Sequence, residues 1–282
     1  MKKLLFLSLI ALGTSCKNGA LVNSTKNVDP TQYMKTITAE DLKKHLYIIA
    51  ADSMQGRETG SAGQKKAGRY LIGEYQKNQV SFPKGASDFY QAVPAAFLNK
   101  KRNNNLPDSE NIWAFIEGTE KPEEVIVISA HYDHVGIENG EIYNGADDDG
   151  SGTSALLEIA QAFQMAKKAG HGPKRSVLFL HVTGEEHGLL GSRYYSENPL
   201  FPLVNTVADI NIDMIGRRDA LHANTNNYVY IIGANRLSAE LDHISAAMNQ
   251  KYIGLDLDYR FNDPKDPNRF YERSDHYNFA KH

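Results

Sequence analysis

The sequence has little cysteine and no marked excess of either charge. Its 282 residues include a single cysteine, so no disulfide can form within the chain. Lysine and arginine number 31 against 34 aspartates and glutamates, which leaves a formal net charge of -3, and the basic residues form no long run. A chain with this balance lacks the basic stripe that attracts nucleic acid. We therefore expect no disulfide, no nucleic-acid partner and no binding to another acidic polymer.

The apolar run at the start of the chain, residues 4–12, is too short to span a bilayer as a permanent helix. We interpret residues 1–16 as a signal peptide, because two lysines precede the run and small residues lead up to Cys16. Cys16 fits a bacterial lipoprotein site, at which it would be lipidated; the alternative is an ordinary secretory peptide with an incidental cysteine. The polar residues 17–36 are predicted to form a tether. Under either alternative the protein works outside the cytoplasm, with membrane contact only through a lipid anchor.

Residues 37–282 are predicted to form one α/β domain. The chain is 41% hydrophobic, enough for one substantial core. Apolar runs, continuous in the central strands, predict strands over residues 112–117, 125–130, 177–182, 208–214 and 228–232. Helical spacing predicts helices from Thr38 and over residues 61–79, 151–168 and 237–249, and residues 54–60 read as a glycine-punctuated loop. The alternation predicts a three-layer α/β fold, a mostly parallel open sheet with helices on both faces.

Acidic and histidine residues stand where these strands are predicted to end. His131 follows the second strand, Glu185 and Glu186 follow the third, and Asp213 ends the fourth, while Asp148 precedes a helix. Ligands of open parallel sheets bind at this edge. So many carboxylates would repel strongly without a cation, and nitrogen and oxygen ligands without a thiol favour zinc or a related divalent ion. Bridging carboxylates allow two ions, and the alternative is a buried polar network without metal.

Nearby polar residues are assigned structural roles. Asp147 and Asp149 are interpreted as turn and helix-cap residues. His134 and His187 are interpreted as loop histidines, and His181, inside an apolar strand, as a core histidine.

The order of these motifs resembles the M28 family of zinc peptidases, which are largely aminopeptidases. The matching segments are His131-Tyr132-Asp133, residues 144–152, residues 184–192, residues 211–214 and Ser274-Asp275-His276. The resemblance implies a zinc-exopeptidase-like fold for residues 37–282. It also implies release of N-terminal amino acids from peptides by a water that two zinc ions activate.

The resemblance implies a role for each matching residue. His131 would bind one zinc, Asp148 would bridge the two ions, Glu186 would bind the first metal and Asp213 would complete the other. Glu185 would be the general base, since adjacent residues after a strand can point in different directions.

Asp133 would accept a hydrogen bond from the ring of the His131 ligand. In the family a further strand and a last zinc-binding histidine follow the Ser-Asp-His motif, and no residue up to His282 matches that histidine. We therefore expect a member truncated at its C-terminus, with one metal position short of a ligand. His276 could fill it chemically, but the motif implies structural support near the site. Two further readings stay open: a glutaminyl-cyclase-like acyltransferase with a single zinc, and a binding protein on an inactive peptidase fold.

Overall fold

A computed structural model describes residues 28–100 and 105–282. The predicted signal peptide, residues 1–16, and the first part of the predicted tether lie outside the described residues. The described end of the tether contains the short helix Thr31–Met34. In the described part of the chain, no helix is long and apolar enough to cross a membrane.

The domain is built from strands and helices that alternate along much of the chain. The strands are β1 (Tyr90–Val93), β2 (Ser109–Ile116), β3 (Lys121–His131), β4 (Gly136–Glu138), β5 (Glu141–Tyr143), β6 (Arg175–Val182), β7 (Thr206–Asn211), β8 (Tyr228–Tyr230) and β9 (Asp256–Asp258). The α-helices are α1 (Thr31–Met34), α2 (Ala39–Ile49), α3 (Ala62–Lys77), α4 (Ala95–Leu98), α5 (Gly150–Lys168), α6 (Leu190–Glu197), α7 (Ala234–Leu237), α8 (Ala239–Tyr252) and α9 (His276–Ala280).

The central sheet has the strand order β1-β2-β6-β3-β7. β6, β3 and β7 run parallel, whereas β2 is antiparallel to β6 and β1 is antiparallel to β2. Helix α5 joins β3 to β6, which confirms the predicted parallel crossover. β2 runs the other way because the short connection of residues 117–120 turns the chain back into β3, and a parallel pair would need a longer crossover.

Helices cover the sheet on both faces, as the sequence predicts. Alternate side chains of β6 enter two cores: Val177 and Phe179 point to one face, Leu178 and Leu180 to the other. The first core packs against α2, α3 and α5, through Ile49, Leu71, Tyr75 and Leu156. The second core packs against α6 through Tyr195. The sheet is therefore the middle of three layers.

Side-chain caps set the beginnings of the longer helices. Thr38, Ser61 and Asp149 each accept a hydrogen bond from the backbone N–H three residues on, at the starts of α2, α3 and α5. These starts agree with the predicted ones to within a residue or two. Helix α8 begins at Ala239 rather than at residue 237, because Ser238 caps it in the same way.

Residues 54–60, predicted to be a loop, are partly helical. A 3₁₀ helix spans Asp52–Arg57, with Gln55 and Gly56 in left-handed conformations. A Cβ atom on Gly56 would stand 2.4 Å from the carbonyl oxygen of Gly136, so the hairpin of β4 and β5 approaches too closely for any other residue.

Two predicted strands differ from those found. The strand predicted over residues 208–214 ends at Asn211, so Asp213 lies two residues beyond it. The strand predicted over residues 228–232 is β8, which pairs in parallel with β9 in a separate two-stranded sheet. Its run is too short and too exposed to join the buried central sheet.

Candidate metal centre

The carboxyl ends of β3, β6 and β7 bring the predicted site residues together. His131 is the last residue of β3, and Glu185 and Glu186 follow β6 by three and four residues. Asp213 follows β7, and Asp148 lies in the loop before α5. Because these three strands are parallel, their ends meet at one edge of the sheet.

His131, Asp148 and Asp213 form the first group of potential ligand atoms. The Nε2 atom of buried His131 lies 3.0 Å from Asp148 Oδ1 and 3.9 Å from Asp213 Oδ1. Zinc bonds of about 2.0–2.1 Å place neighbouring tetrahedral ligand atoms about 3.3 Å apart. Among the described residues, neither His131 Nε2 nor Asp213 Oδ1 has a hydrogen-bond partner, although both atoms are buried. The group therefore suits a metal ion.

Hydrogen bonds hold the first group in place. The Nδ1–H of His131 donates to the backbone oxygen of Asp133 at 3.1 Å, which leaves the Nε2 lone pair free for a metal. The Oγ of Ser274 donates to Asp213 Oδ2 at 2.6 Å and itself accepts from Asn211 Nδ2. The Ser274 motif therefore supports Asp213, a candidate ligand, as the sequence predicts.

The carboxylate of Asp133 has a different main contact from the one predicted. It lies 3.7 Å from His131 Nδ1, farther away than the Asp133 backbone oxygen. Its oxygens accept from the Thr59 hydroxyl at 2.9 Å and from the Glu185 N–H at 3.2 Å. Asp133 thus connects the end of β3 with the loop that carries Glu185.

His134, Asp148 and Glu186 form the second group. His134 Nδ1 lies 2.6 Å from Glu186 Oε1. Asp148 belongs to both groups, which is the arrangement expected of a bridging carboxylate. The partition differs from the predicted one, since Asp213 lies with His131 and Glu186 lies with His134. His134, interpreted from the sequence as a loop histidine, belongs to the centre.

Glu185 belongs to neither group found in the described part of the chain. Its side chain is 12% exposed, and Oε2 lies 4.0 Å from His131 Nε2. Burial raises its pKa to about 9, opposed by His131, with the charge of Asp275 adding to the rise. A cation bound beside Glu185 would favour its ionised form, which is the form a general base needs.

The pKa values of the three residues in the first group are also shifted. Burial raises the pKa of Asp213. Burial also disfavours the charged form of Asp148, but its contact with His131 outweighs this and lowers the pKa of Asp148. Burial lowers the pKa of His131, yet contacts with Asp133 and Asp148 raise it well above its usual range overall. A divalent ion would replace the proton that these groups now share.

Arg57 was missed by the sequence analysis. Its side chain is 0% exposed, and its guanidinium donates to the backbone oxygens of Ile49, Tyr132, Asn144 and Gly145. Burial lowers its pKa to about 10 against the charges of nearby carboxylates. These bonds tie the end of β3 to the loop that leads to Asp148. Nothing in the sequence marks an arginine beside a glycine as buried.

The structural roles assigned to other polar residues are largely confirmed. Asp149 caps α5, and Asp147 accepts from the N–H of Gly216 in a turn. Buried His181 shares a 2.6 Å hydrogen bond with the Tyr75 hydroxyl, and burial lowers its pKa to about 3. His276 lies in neither metal group of the described residues and packs against the Tyr271 ring.

Curated relatives match part of this chain. Aminopeptidase NAALADL1 of Mus musculus is 32% identical over 187 residues, which is 66% of this chain and 22% of that protein. A probable glutamate carboxypeptidase of Arthroderma benhamiae is 36% identical over 130 residues, 44% of this chain and 17% of the relative. A probable zinc metalloprotease of Pyrenophora tritici-repentis is 34% identical over 118 residues, which is 41% of this chain and 26% of that relative. The matches thus span about a fifth of the length of these relatives.

Solved structures share the fold at low sequence identity. LapB from Legionella pneumophila has a TM-score of 0.66 and 21% identity, with 90% of this chain and 61% of that chain covered. BSAP, a zinc aminopeptidase from Bacillus subtilis, has a TM-score of 0.60 and 16% identity, with 86% and 82% covered. Glutaminyl cyclase from Porphyromonas gingivalis has a TM-score of 0.57 and 19% identity, with 87% and 80% covered.

The sequence profile of Peptidase family M28 matches residues 111–282, a segment that contains every predicted ligand and Glu185. The central sheet and the two ligand groups lie largely within the matched region. On this match and this fold, the chain belongs to Peptidase family M28, a family of zinc-dependent peptidases.

Proposed function

We propose that the protein is a co-catalytic zinc exopeptidase that releases N-terminal amino acids from peptides. The observation that carries this proposal is the pair of ligand groups that share Asp148, with Glu185 beside them and part of neither. Zinc ions bound in these groups would lower the pKa of a shared water and polarise the scissile carbonyl.

The residues of the chain hold the metal ions and transfer the proton. His131 and Asp213 hold one side of the centre, Glu186 holds the other, and Asp148 spans both. Glu185 takes a proton from the water and returns it to the leaving amine. The contact of Asp133 with the Glu185 N–H fixes the loop that carries this base.

The substrates we propose are peptides with a free N-terminus. The interpretation of residues 1–16 as a signal peptide adds that these peptides are met outside the cytoplasm, where the protein is either anchored through Cys16 or secreted. The alternative of a single-zinc acyltransferase is supported by the shared fold with a glutaminyl cyclase, but the second ligand group favours two ions. The presence of His131, Asp148, Glu185, Glu186 and Asp213 at one edge of the sheet argues against an inactive binding protein.

The test combines metal content with substrate choice. We expect two zinc ions in the intact site after dialysis against dilute zinc, and hydrolysis of a leucyl anilide but not of its N-acetylated form. A peptide that begins with glutamine should be hydrolysed rather than cyclised. One zinc together with a pyroglutamyl product would replace the proposal with the acyltransferase. Equal cleavage of the acetylated anilide would remove the requirement for a free N-terminus.

A further inference from the structure

We propose that Asp209 carries a proton and positions Asp213, a candidate metal ligand, through a hydrogen-bond relay. The relay runs from Asp209 of β7 through Ser129 of β3, then through Asn211 and Ser274, to Asp213. This inference rests on the proposed function and deepens it, because it names a residue outside both ligand groups that orients one of the ligands. Asp209 is a positioning residue, since it reaches the ligand only through other side chains.

Short contacts link the five side chains of the relay. Ser129 Oγ lies 2.9 Å from Asp209 Oδ1 and 2.9 Å from Asn211 Oδ1. Asn211 Nδ2 lies 2.6 Å from Ser274 Oγ, which lies 2.6 Å from Asp213 Oδ2. The parallel pairing of β3 with β7 sets Ser129 opposite Asn211, and Asp209 is two residues before Asn211. The three side chains therefore lie on one face of the sheet.

The direction of each hydrogen bond follows from the metal end of the relay. An ionised ligand carboxylate can only accept, so Ser274 gives its one hydroxyl hydrogen to Asp213. The oxygen of Ser274 must then accept, which requires the amide nitrogen of Asn211 to face it and the amide oxygen to face Ser129. Asn211 Oδ1 therefore accepts from the Ser129 hydroxyl.

The single hydrogen of the Ser129 hydroxyl decides the state of Asp209. Once Ser129 donates to Asn211, its oxygen can only accept from Asp209. The 2.9 Å contact between Ser129 and Asp209 is then a hydrogen bond only if Asp209 carries the proton. The surroundings favour this neutral form: burial raises the pKa of Asp209 to about 8, the Ser129 contact opposes the rise, and the charge of Asp275 adds to it.

An ionised Asp209 that takes the hydrogen of Ser129 is the competing explanation. Asn211 Oδ1 would then lie 2.9 Å from an oxygen that has no hydrogen to offer it. The carboxylate would also be poorly solvated, because Asp209 Oδ2 is buried and has no hydrogen-bond partner among the described residues. Leaving a charge in this state costs more than leaving a neutral carbonyl oxygen in it. Both observations favour the protonated form.

The relay fixes the orientation of the ligand. With a neutral Asp209, every donor points towards Asp213, and successive hydrogen bonds strengthen one another by polarisation. The bond from Ser274 holds Asp213 Oδ2, so that Oδ1 stays turned towards His131 Nε2 at 3.9 Å. An oriented ligand needs less rearrangement when a metal binds. Loss of the proton from Asp209 would interrupt the relay at Ser129.

Infrared spectroscopy tests the proton on Asp209 directly. The zinc-loaded wild-type protein is compared with an Asp209→Asn variant near neutral pH, below the pKa of Asp209. The difference spectrum should contain the carbonyl stretching band of one protonated carboxyl group, which the wild type has and the variant lacks. A difference spectrum that contains only the bands of an ionised carboxylate would overturn the inference.

Zinc affinity tests the positioning role. Asp209→Asn keeps a donor, because an amide N–H takes the place of the acid O–H, whereas Asp209→Leu has a similar shape and no donor. Ser129→Ala interrupts the relay one step closer to the ligand. The control is Tyr195→Phe, which removes another buried hydroxyl on this face of the sheet, one without a hydrogen-bond partner among the described residues. Affinity is measured by competition with a chromophoric chelator.

We expect Asp209→Asn and Tyr195→Phe to bind zinc within about twofold of the wild type, and Asp209→Leu and Ser129→Ala to bind it about 3–10-fold more weakly. Wild-type affinity in both Asp209→Leu and Ser129→Ala would overturn the positioning role and leave the proposed function standing. An Asp209→Asn protein as weak as Asp209→Leu would overturn the requirement for a neutral donor. A wild-type protein that binds no zinc would refute the proposed function, and the role of Asp209 towards a ligand with it.

Discussion

Replacing Glu185 with glutamine should abolish peptide hydrolysis and leave zinc bound. Glutamine keeps the shape of the side chain but cannot accept the proton, and the backbone N–H that bonds to Asp133 is unchanged. A positioned general base contributes about 10²–10⁴-fold, so kcat should fall by at least about 100-fold, or about 2.7 kcal/mol of activation free energy. Glu185 belongs to neither ligand group in the described part of the chain, so zinc content should stay at the wild-type value.

The assay measures kcat on a leucyl anilide together with zinc content on the same protein sample. The control is Glu186→Gln, which should lose activity together with the second zinc, because it changes a ligand. Stability should change little in Glu185→Gln, since burial raises the pKa of Glu185 to about 9 and the neutral amide resembles the protonated acid. A Glu185→Gln protein with normal zinc and kcat within tenfold of wild type would remove Glu185 from the mechanism.

Four further changes test the centre and its support. Asp148→Asn should lose zinc from both positions, since a neutral amide bridges two cations poorly; full occupancy by emission spectroscopy would reject Asp148 as the bridge. Ser274→Ala should weaken zinc binding by about 10-fold in a competition titration, because Asp213 loses its 2.6 Å hydrogen bond. Arg57→Lys should cost about 2–4 kcal/mol in urea unfolding, because a lysine cannot serve all the carbonyls that the guanidinium reaches. Gly56→Ala should cost a similar amount, about 2–4 kcal/mol, through a clash with the Gly136 carbonyl, whereas the exposed Gly140→Ala should change the unfolding midpoint much less.

The sequence predicts best what depends on neighbours along the chain. The strands β3 and β6 are continuous apolar runs, and the caps at Thr38 and Ser61 lie next to the helices they begin, so both could be read directly. The direction of β2 could not be read, because it depends on how a short connection crosses the sheet. Strand β1 is too short, and too evenly divided between exposed and buried residues, to stand out as a run.

The sequence predicted which residues come together better than how they divide into two groups. The ends of the strands and the start of α5 point to His131, Asp148, Glu186 and Asp213, but which of them lie close enough to share an ion depends on the paths of the loops. Asp213 reaches His131 because β7 lies next to β3 in the sheet. Glu186 reaches His134 instead, across the centre from Asp213. These distances depend on the three-dimensional packing of strands and loops, and the spacing of residues along the chain does not predict them.

The buried charges connect Arg57 with the candidate metal centre. The guanidinium of Arg57 donates to backbone oxygens, and no carboxylate of the described residues pairs with it directly. Its positive charge therefore acts on the centre as a whole rather than on one partner. Burial raises the pKa of Asp213 and of Glu185 despite that charge, so these two carboxylates are ionised only when further positive charge arrives. Arg57 thus sets the path of the loop that carries Asp148, and a bound divalent cation would complete the balance of charge. Because a cation bound there would displace protons from the same groups, zinc affinity should depend on the pH of the solution.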